Sequence, residues 1–386
     1  MGNFVQTLSD SVSLIASNES WIEGLATQQL LKTSQLEGMK QVVGMPDLHP
    51  GRGYPVGASF FSVGRVYPAL VGNDIGCGMS LWQTSLRVAK LNLDKLAKRL
   101  DKVEGPLGEN WADDILQLKK ARDVESEGFD MALGTIGGGN HFAEFQRIDE
   151  VYDAAAFKAS GLNTQQLQLL VHSGSRGLGQ AILTKHVSEH GHAGLAEGSD
   201  ALAQYVSEHN EAVRWAELNR YLIAQRFLSA VRSDGQFMLD VNHNLVTQVE
   251  INGCLGWLHR KGATPSDKGL VMIPGSRGDF SYLVKPRHNG VAAQSLYSLA
   301  HGAGRKWQRG TCKGRLDSTF KPKDLLKTAL GSRVICGNKE LLYDEAPQAY
   351  KKGESVISDL VNADLIDVIA KTRPVLTFKT QGGCAS

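Results

Sequence analysis

The stretch "QLQLLVHSGSRGLG" (166–179) sets how this chain is organised. Leu167, Leu169, Leu170 and Val171 form a short apolar run, the pattern of a buried strand, and "SGSRGLG" ends it in a glycine-rich turn. His172 and Arg176 therefore stand where a strand gives way to a loop, with small neighbours on either side.

The same plan repeats outward from it. "RVYPALVG" (65–72) and "GMSLWQTSL" (78–86) read as strands flanking the loop "NDIGC", and "GCLGWLHRKGA" and "KGLVMIPGSRG" read as strands running into glycine turns. Helical spacing of apolar residues predicts helices over 89–103 and 201–232, and "VAAQSLYSLA" (291–300) predicts a helix that delivers His301 at its C-terminal end. There is no linker, low-complexity tract or periodic repeat. The expectation is an α+β fold with mixed β-sheets flanked by helices, folded as a single domain over 1–386. The one internal echo is "GSRG", at 174–177 and again at 275–278; such turns can offer backbone N–H groups and an arginine to a phosphate.

A formal charge of +2 is too small for the whole molecule to act as a polyanion binder, so nucleic-acid affinity has to come from a local patch. Residues 301–333 supply one: Arg305, Lys306, Arg309, Lys313, Arg315, Lys321, Lys323, Lys327 and Arg333 stand against only Asp317 and Asp324. Five cysteines (Cys77, Cys254, Cys312, Cys336, Cys384), never spaced Cys-x-x-Cys, argue against a disulfide framework or a zinc ribbon and for a reducing, cytoplasmic setting. No apolar stretch approaches the ~20 residues of a membrane helix, so no membrane partner is expected.

The chemistry gathers at strand and loop ends. "NDIGCGM" offers Asp74 and Cys77 across a glycine, "GGGNHFAE" offers His141, "VHSGSRG" His172 and "DVNHNLV" His243. Taken singly, a Cys or His in such a place is more often structural than a ligand. Their recurrence beside Gly or Asn points to one metal site, because a thiolate, a carboxylate and three imidazoles can hold two divalent ions if one ligand is shared. Ligand softness alone favours zinc. Arg176, Arg277 and Arg305 around such a centre suit phosphoryl or nucleotidyl transfer.

"MPDLHPGRGYPVG", "GNDIGCGM", "GGGNHFAE", "VHSGSRGLG", "HRKGATP", "PGSRG", "SLAHGAGR" and "DEAPQAYK" occur in the order found in the RtcB family of RNA-splicing ligases, which the chain resembles from about residue 35 to Lys379. The resemblance implies an RtcB-like fold around a deep, metal-lined cleft. It implies joining of an RNA 3′-phosphate or 2′,3′-cyclic phosphate to a 5′-hydroxyl, with GTP as cofactor and a covalent histidine–GMP intermediate on His301. It implies two manganese ions on Asp74, Cys77, His141, His172 and His243, with Cys77 bridging. Asn140, Glu144, Gly275, Ser276, Gly302, Ala303, Gly304, Tyr350 and Lys379 are the residues expected around the guanylate, with Asp47 orienting His301 and Arg176 assisting catalysis. The interval between Cys77 and His141 is short for the family, and "TQGGCAS" extends past Lys379. The chain thus resembles the shorter paralogous branch that can accompany a release-factor homologue, which implies repair of broken tRNA or rRNA; an archease-like activator is a further possible partner. The alternative is a metal-dependent phosphoesterase that opens cyclic-phosphate RNA ends without ligating them.

Overall fold

The computed structural model describes residues 4–126 and 128–381; Cys384 lies outside the described residues. Strand Gln166–Ser173 is buried along nearly its whole length, between Gly78–Arg87 and Phe142–Val151 in an eight-stranded mixed sheet. That sheet runs Gly235–Asn242, Gly78–Arg87, Gln166–Ser173, Phe142–Val151, Ile366–Thr380, Ser281–Pro286, Val271–Ile273, with Arg333–Cys336 pairing parallel to Ile366–Thr380. A second sheet has six strands in the order Val5–Ser9, Val12–Ile15, Met39–His49, Val56–Ser62, Cys254–Lys261, Asn244–Ile251.

The two sheets share an apolar body. Val43, Phe61 and Leu258 of the smaller sheet pack in one cluster with Val271 and Val284 of the larger. The helix expected over 201–232 forms as Asp200–Val231, started by Ser199, whose side chain accepts from Leu202 N. Its buried Trp215, Leu218 and Leu222 carry a second cluster, and its Ile223, Phe227 and Val231 pack with Leu167, Leu169 and Val171 of the central strand. Among the described residues no helix is long and apolar enough to cross a membrane.

Three local expectations are corrected. "RVYPALVG" is a strand only at Arg65–Val66; Pro68, at the first turn of helix Pro68–Val71, has the fixed φ and missing N–H that suit a helix start. The helix expected over 89–103 is confined to Leu93–Leu100, because Asn92 caps it by accepting from Lys95 N at 2.9 Å. The run 291–300 is not one helix. Helix Gly290–Gln294 stops, Leu296 and Tyr297 take φ of 53° and 47°, and Ser298–Ala300 continues as a strand paired with Ala263–Pro265. His301 therefore leaves a strand, not a helix end.

Candidate active site

Cys77 lies in a turn closed by its N–H to the Asp74 carbonyl (3.1 Å), and its own carbonyl accepts from His243 N at 2.7 Å. The turn depends on glycine twice. Gly76 has φ +71° and any Cβ there would meet Ala216 and Val213 of the long helix at 2.8–2.9 Å; a Cβ on Gly174 would lie 2.1 Å from Asp74 Oδ1. His141 immediately precedes strand Phe142–Val151, His172 is the penultimate residue of Gln166–Ser173, and His243 joins Gly235–Asn242 to Asn244–Ile251. Strand pairing thus brings four distant segments to one point.

Their donor atoms converge. Cys77 Sγ is 3.3 Å from His141 Nε2 and 3.1 Å from His172 Nε2; His172 Nε2 is 3.3 Å from His243 Nε2, and His141 Nε2 is 2.7 Å from Asp74 Oδ2. They fall into two trios, Asp74–Cys77–His141 and Cys77–His172–His243, the donor atoms of each lying within 4.8 Å of one another and Cys77 belonging to both. Nδ1 of His141 faces the Ile136 carbonyl (3.1 Å) and Nδ1 of His172 faces that of Asn140 (3.3 Å), so a ring proton held on each Nδ1 would leave Nε2 to ligate a cation.

The electrostatics agree. Burial, then the neighbouring imidazoles, holds His172 and His243 well below the usual histidine range, so both are neutral. Burial raises the Cys77 thiol well above its usual value, helped by Asp74. Burial also pushes the Asp74 carboxyl up, but His141, Cys77 and Arg176 outweigh it and leave it low. Imidazole nitrogens, a thiol and a carboxylate converging at these distances are the donor types that ligate a divalent cation. The set of three nitrogens, one sulfur and one carboxylate oxygen fits two divalent ions sharing Cys77, each left with open positions.

The cluster forms one wall of a cleft of about 250 Å³. His301 lines it with its ring 4.9 Å, centroid to centroid, from His243, yet belongs to neither trio. The fully buried Asp47 accepts from His301 Nδ1 at 2.6 Å and from its backbone N at 3.1 Å, which leaves Nε2 as the free ring nitrogen. Gly304 makes the approach possible: it has φ +72°, and a Cβ there would lie 2.2 Å from the Asp47 carbonyl oxygen. Asn140, Gly275, Ser276, Gly302, Ala303, Gly304, Tyr350 and Lys379 all line the cleft. Asp47, His141 and Glu144 are buried and do not line it, and neither does the part-exposed Arg176. Glu144 accepts from Gln146 (2.6 Å) and from Thr377, and burial pushes its carboxyl up to about 7.

The arginines divide. Arg176, at the N-cap of helix Gly177–His190 with φ +56°, lies so close over Gly137 that a Cβ there would be 1.8 Å from its Nη1. Arg305 is committed within the protein, to Glu345 (3.1 Å), Tyr350 Oη (3.0 Å) and the Trp307 and Asp344 carbonyls. The two "GSRG" segments also differ: 174–177 opens a helix, whereas 275–278 is a turn closed by Asp279 N on the Ser276 carbonyl at 2.9 Å. In the basic tract, Lys306 and Arg315 lie over the Trp307 ring, and Lys313 pairs with Glu340 at 2.6 Å.

Several cleft residues escaped the sequence reading. Glu345 gathers Arg305 (3.1 Å), Arg309 (3.3 Å) and Lys379 (3.7 Å); it sits within "DEAPQAYK" but has no distinguishing neighbour in sequence. His49 stacks near His301 at 6.4 Å and 17°, and Lys261 and Asn244 line the cleft beside motifs already singled out. Only their proximity to His301 or the candidate metal ligands marks them, and that is a tertiary fact.

The comparisons with known proteins point the same way. The family described as "tRNA-splicing ligase RtcB" matches over residues 29–131 and 112–380. RNA-splicing ligase RtcB2 of Escherichia coli strain ATCC 25922 is 55% identical over 383 residues, covering 99% of both chains. RNA-splicing ligase RtcB of Escherichia coli K12 is 29% identical over 93% of this chain and 95% of its own, and tRNA-splicing ligase RtcB of Nanoarchaeum equitans 30% identical over 88% of each. With the family matched along nearly the whole chain, and a relative more than half identical from end to end, this protein belongs to the RtcB family of RNA ligases.

Proposed function

We propose that this chain is a GTP- and manganese-dependent RNA ligase that joins 3′-phosphate or 2′,3′-cyclic phosphate ends to 5′-hydroxyl ends through a covalent histidine–GMP on His301. The observation that carries this reading is the position of His301. It borders the metal cluster without belonging to either donor trio, and Asp47 fixes its tautomer. Asp47 accepts the Nδ1 proton, so the Nε2 lone pair can attack the α-phosphate of GTP as pyrophosphate leaves. The guanylate then passes to an RNA 3′-phosphate, and the RNA 5′-hydroxyl displaces GMP.

Asp74, Cys77, His141, His172 and His243 are the residues that would hold two manganese ions, whose role is to neutralise charge on phosphate oxygens. Arg176, whose charge reaches Asp74, supplements that neutralisation. Around the base, Tyr350 offers an aromatic face, Lys379 donors and Glu144 a carboxyl; Asn140, Gly275, Ser276, Gly302, Ala303 and Gly304 shape the pocket. The apolar cluster shared by the two sheets supports a single catalytic domain spanning the chain. A cytoplasmic setting and a role in repairing broken tRNA or rRNA, with a release-factor homologue or archease-like activator as partner, complete the reading.

The test is incubation with manganese and α-labelled GTP. The expected result is acid-labile label on the chain that vanishes in His301→Ala. Cyclic-phosphate hydrolysis by metal-loaded protein that never takes label would favour the phosphoesterase instead.

A further inference from the structure

One guanidinium in the cleft has most of its donors unspent. Arg277 follows Ser276 in the 275–278 turn, lines the cleft and is 7% exposed. Its Nη2 donates to the Leu342 carbonyl at 2.8 Å, while Nε and Nη1 are buried without a hydrogen-bond partner. Glu345, the acid whose charge reaches Arg277, is already shared among Arg305, Arg309 and Lys379. Burial depresses the guanidinium, against the pull of Cys336, Glu345 and Tyr350, but an arginine keeps its proton. Three N–H groups therefore face a site where leaving them unpaired is costly.

Those donors require a ligand edge made of acceptors alone. The N7/O6 edge of guanine is such an edge, whereas adenine presents an amino donor beside N7. Arg277 follows Ser276 and lines the cleft with Tyr350 and Lys379, residues assigned to the guanylate, and its charge interacts with both as well as with Cys336 and Glu345; the guanidinium whose charge reaches the metal ligand Asp74 is Arg176. We propose that Arg277, beside Lys379, reads the N7/O6 edge of the guanine base and is a specificity-determining residue of this cleft. The inference rests on the GTP-dependence proposed above.

The experiment is equilibrium binding of GTP, 7-deaza-GTP and ATP, each as its α,β-methylene analogue so that His301 cannot be guanylylated, to the manganese-loaded full chain, by calorimetry, for wild type, Arg277→Met and Arg277→Lys. Wild type is expected to prefer GTP over 7-deaza-GTP by roughly ten-fold, and Arg277→Met to shrink that preference toward one, with Arg277→Lys between them. Equal binding of GTP and 7-deaza-GTP by wild type overturns the proposal and needs no variant to fold. So does an Arg277→Met variant that weakens all three nucleotides alike while keeping the preference, the behaviour of an arginine placed on a phosphate. A wild type that binds no GTP overturns the parent reading, and this one with it.

Discussion

Arg220 offers the sharpest test of how the fold holds the candidate metal site. It lies on helix Asp200–Val231 with its side chain fully buried, and pairs with Asp240, whose side chain is 15% exposed. Nη1 donates to the Gly76 carbonyl at 2.6 Å and to the Ser173 carbonyl at 3.0 Å; Nη2 donates to Asn242 Oδ1 at 2.6 Å. Gly76, Ser173 and Asn242 are the chain neighbours of Cys77, His172 and His243, so one guanidinium ties three ligand-bearing segments together. Arg220→Met strands the Asp240 carboxylate and two carbonyls. Breaking a buried pair in this way costs about 3–5 kcal/mol, a large share of a total stability on the order of 5–15 kcal/mol. Urea unfolding of metal-free protein is the assay, with a companion titration of manganese affinity. Arg220→Met/Asp240→Leu, which removes both charges, should regain much of the loss. A single variant that loses less than about 1 kcal/mol, or one that loses stability but binds manganese as wild type does, would refute the reasoning.

Four further outcomes are expected. Asp47→Asn frees the wrong tautomer of His301 and should slow histidine guanylylation by roughly 100-fold or more while GTP affinity changes little; an unchanged single-turnover rate counts against the assigned role. Gly174→Ala drives a methyl into Asp74 Oδ1 and should weaken manganese binding by roughly 10- to 100-fold, measured by calorimetry. Manganese binding should release a proton from the buried, raised Cys77 thiol near pH 7, seen as a buffer-dependent binding enthalpy; equal enthalpies in buffers of different ionisation heat would contradict it. Glu144 is an acid whose folded pKa is raised to about 7 from 4.5, so the native state holds the extra proton. Its contribution to stability should therefore fall as pH rises from about 4.5 through 7, and a stability difference between wild type and Glu144→Gln that stays flat across that window would exclude this.

The order of glycine-flanked motifs made the α+β class and the five metal-ligand candidates legible, because strand ends and turns are written in local residue choice. Asp74 and Cys77 lie in the turn before strand Gly78–Arg87, His141 just before Phe142–Val151, His172 near the end of Gln166–Ser173 and His243 between two strands, and strand pairing then brings their segments together. The long helix was legible too, since its apolar spacing runs for more than eight turns. What stayed hidden depends on contacts across the chain. The His301 strand looked helical because residues 291–300 favour a helix locally, and only pairing of Ser298–Ala300 with Ala263–Pro265 overrides it. Arg305 reads in sequence as a phosphate ligand, but Glu345, forty residues away, claims its guanidinium. Arg277 reads as one more cation in a turn, and nothing local says that its donors are buried and unspent. Sequence named the chemical groups and the local turns that bear them. Tertiary structure decided which of those groups are paired within the protein and which are left for a ligand, because burial and partner distance are properties of the packed chain.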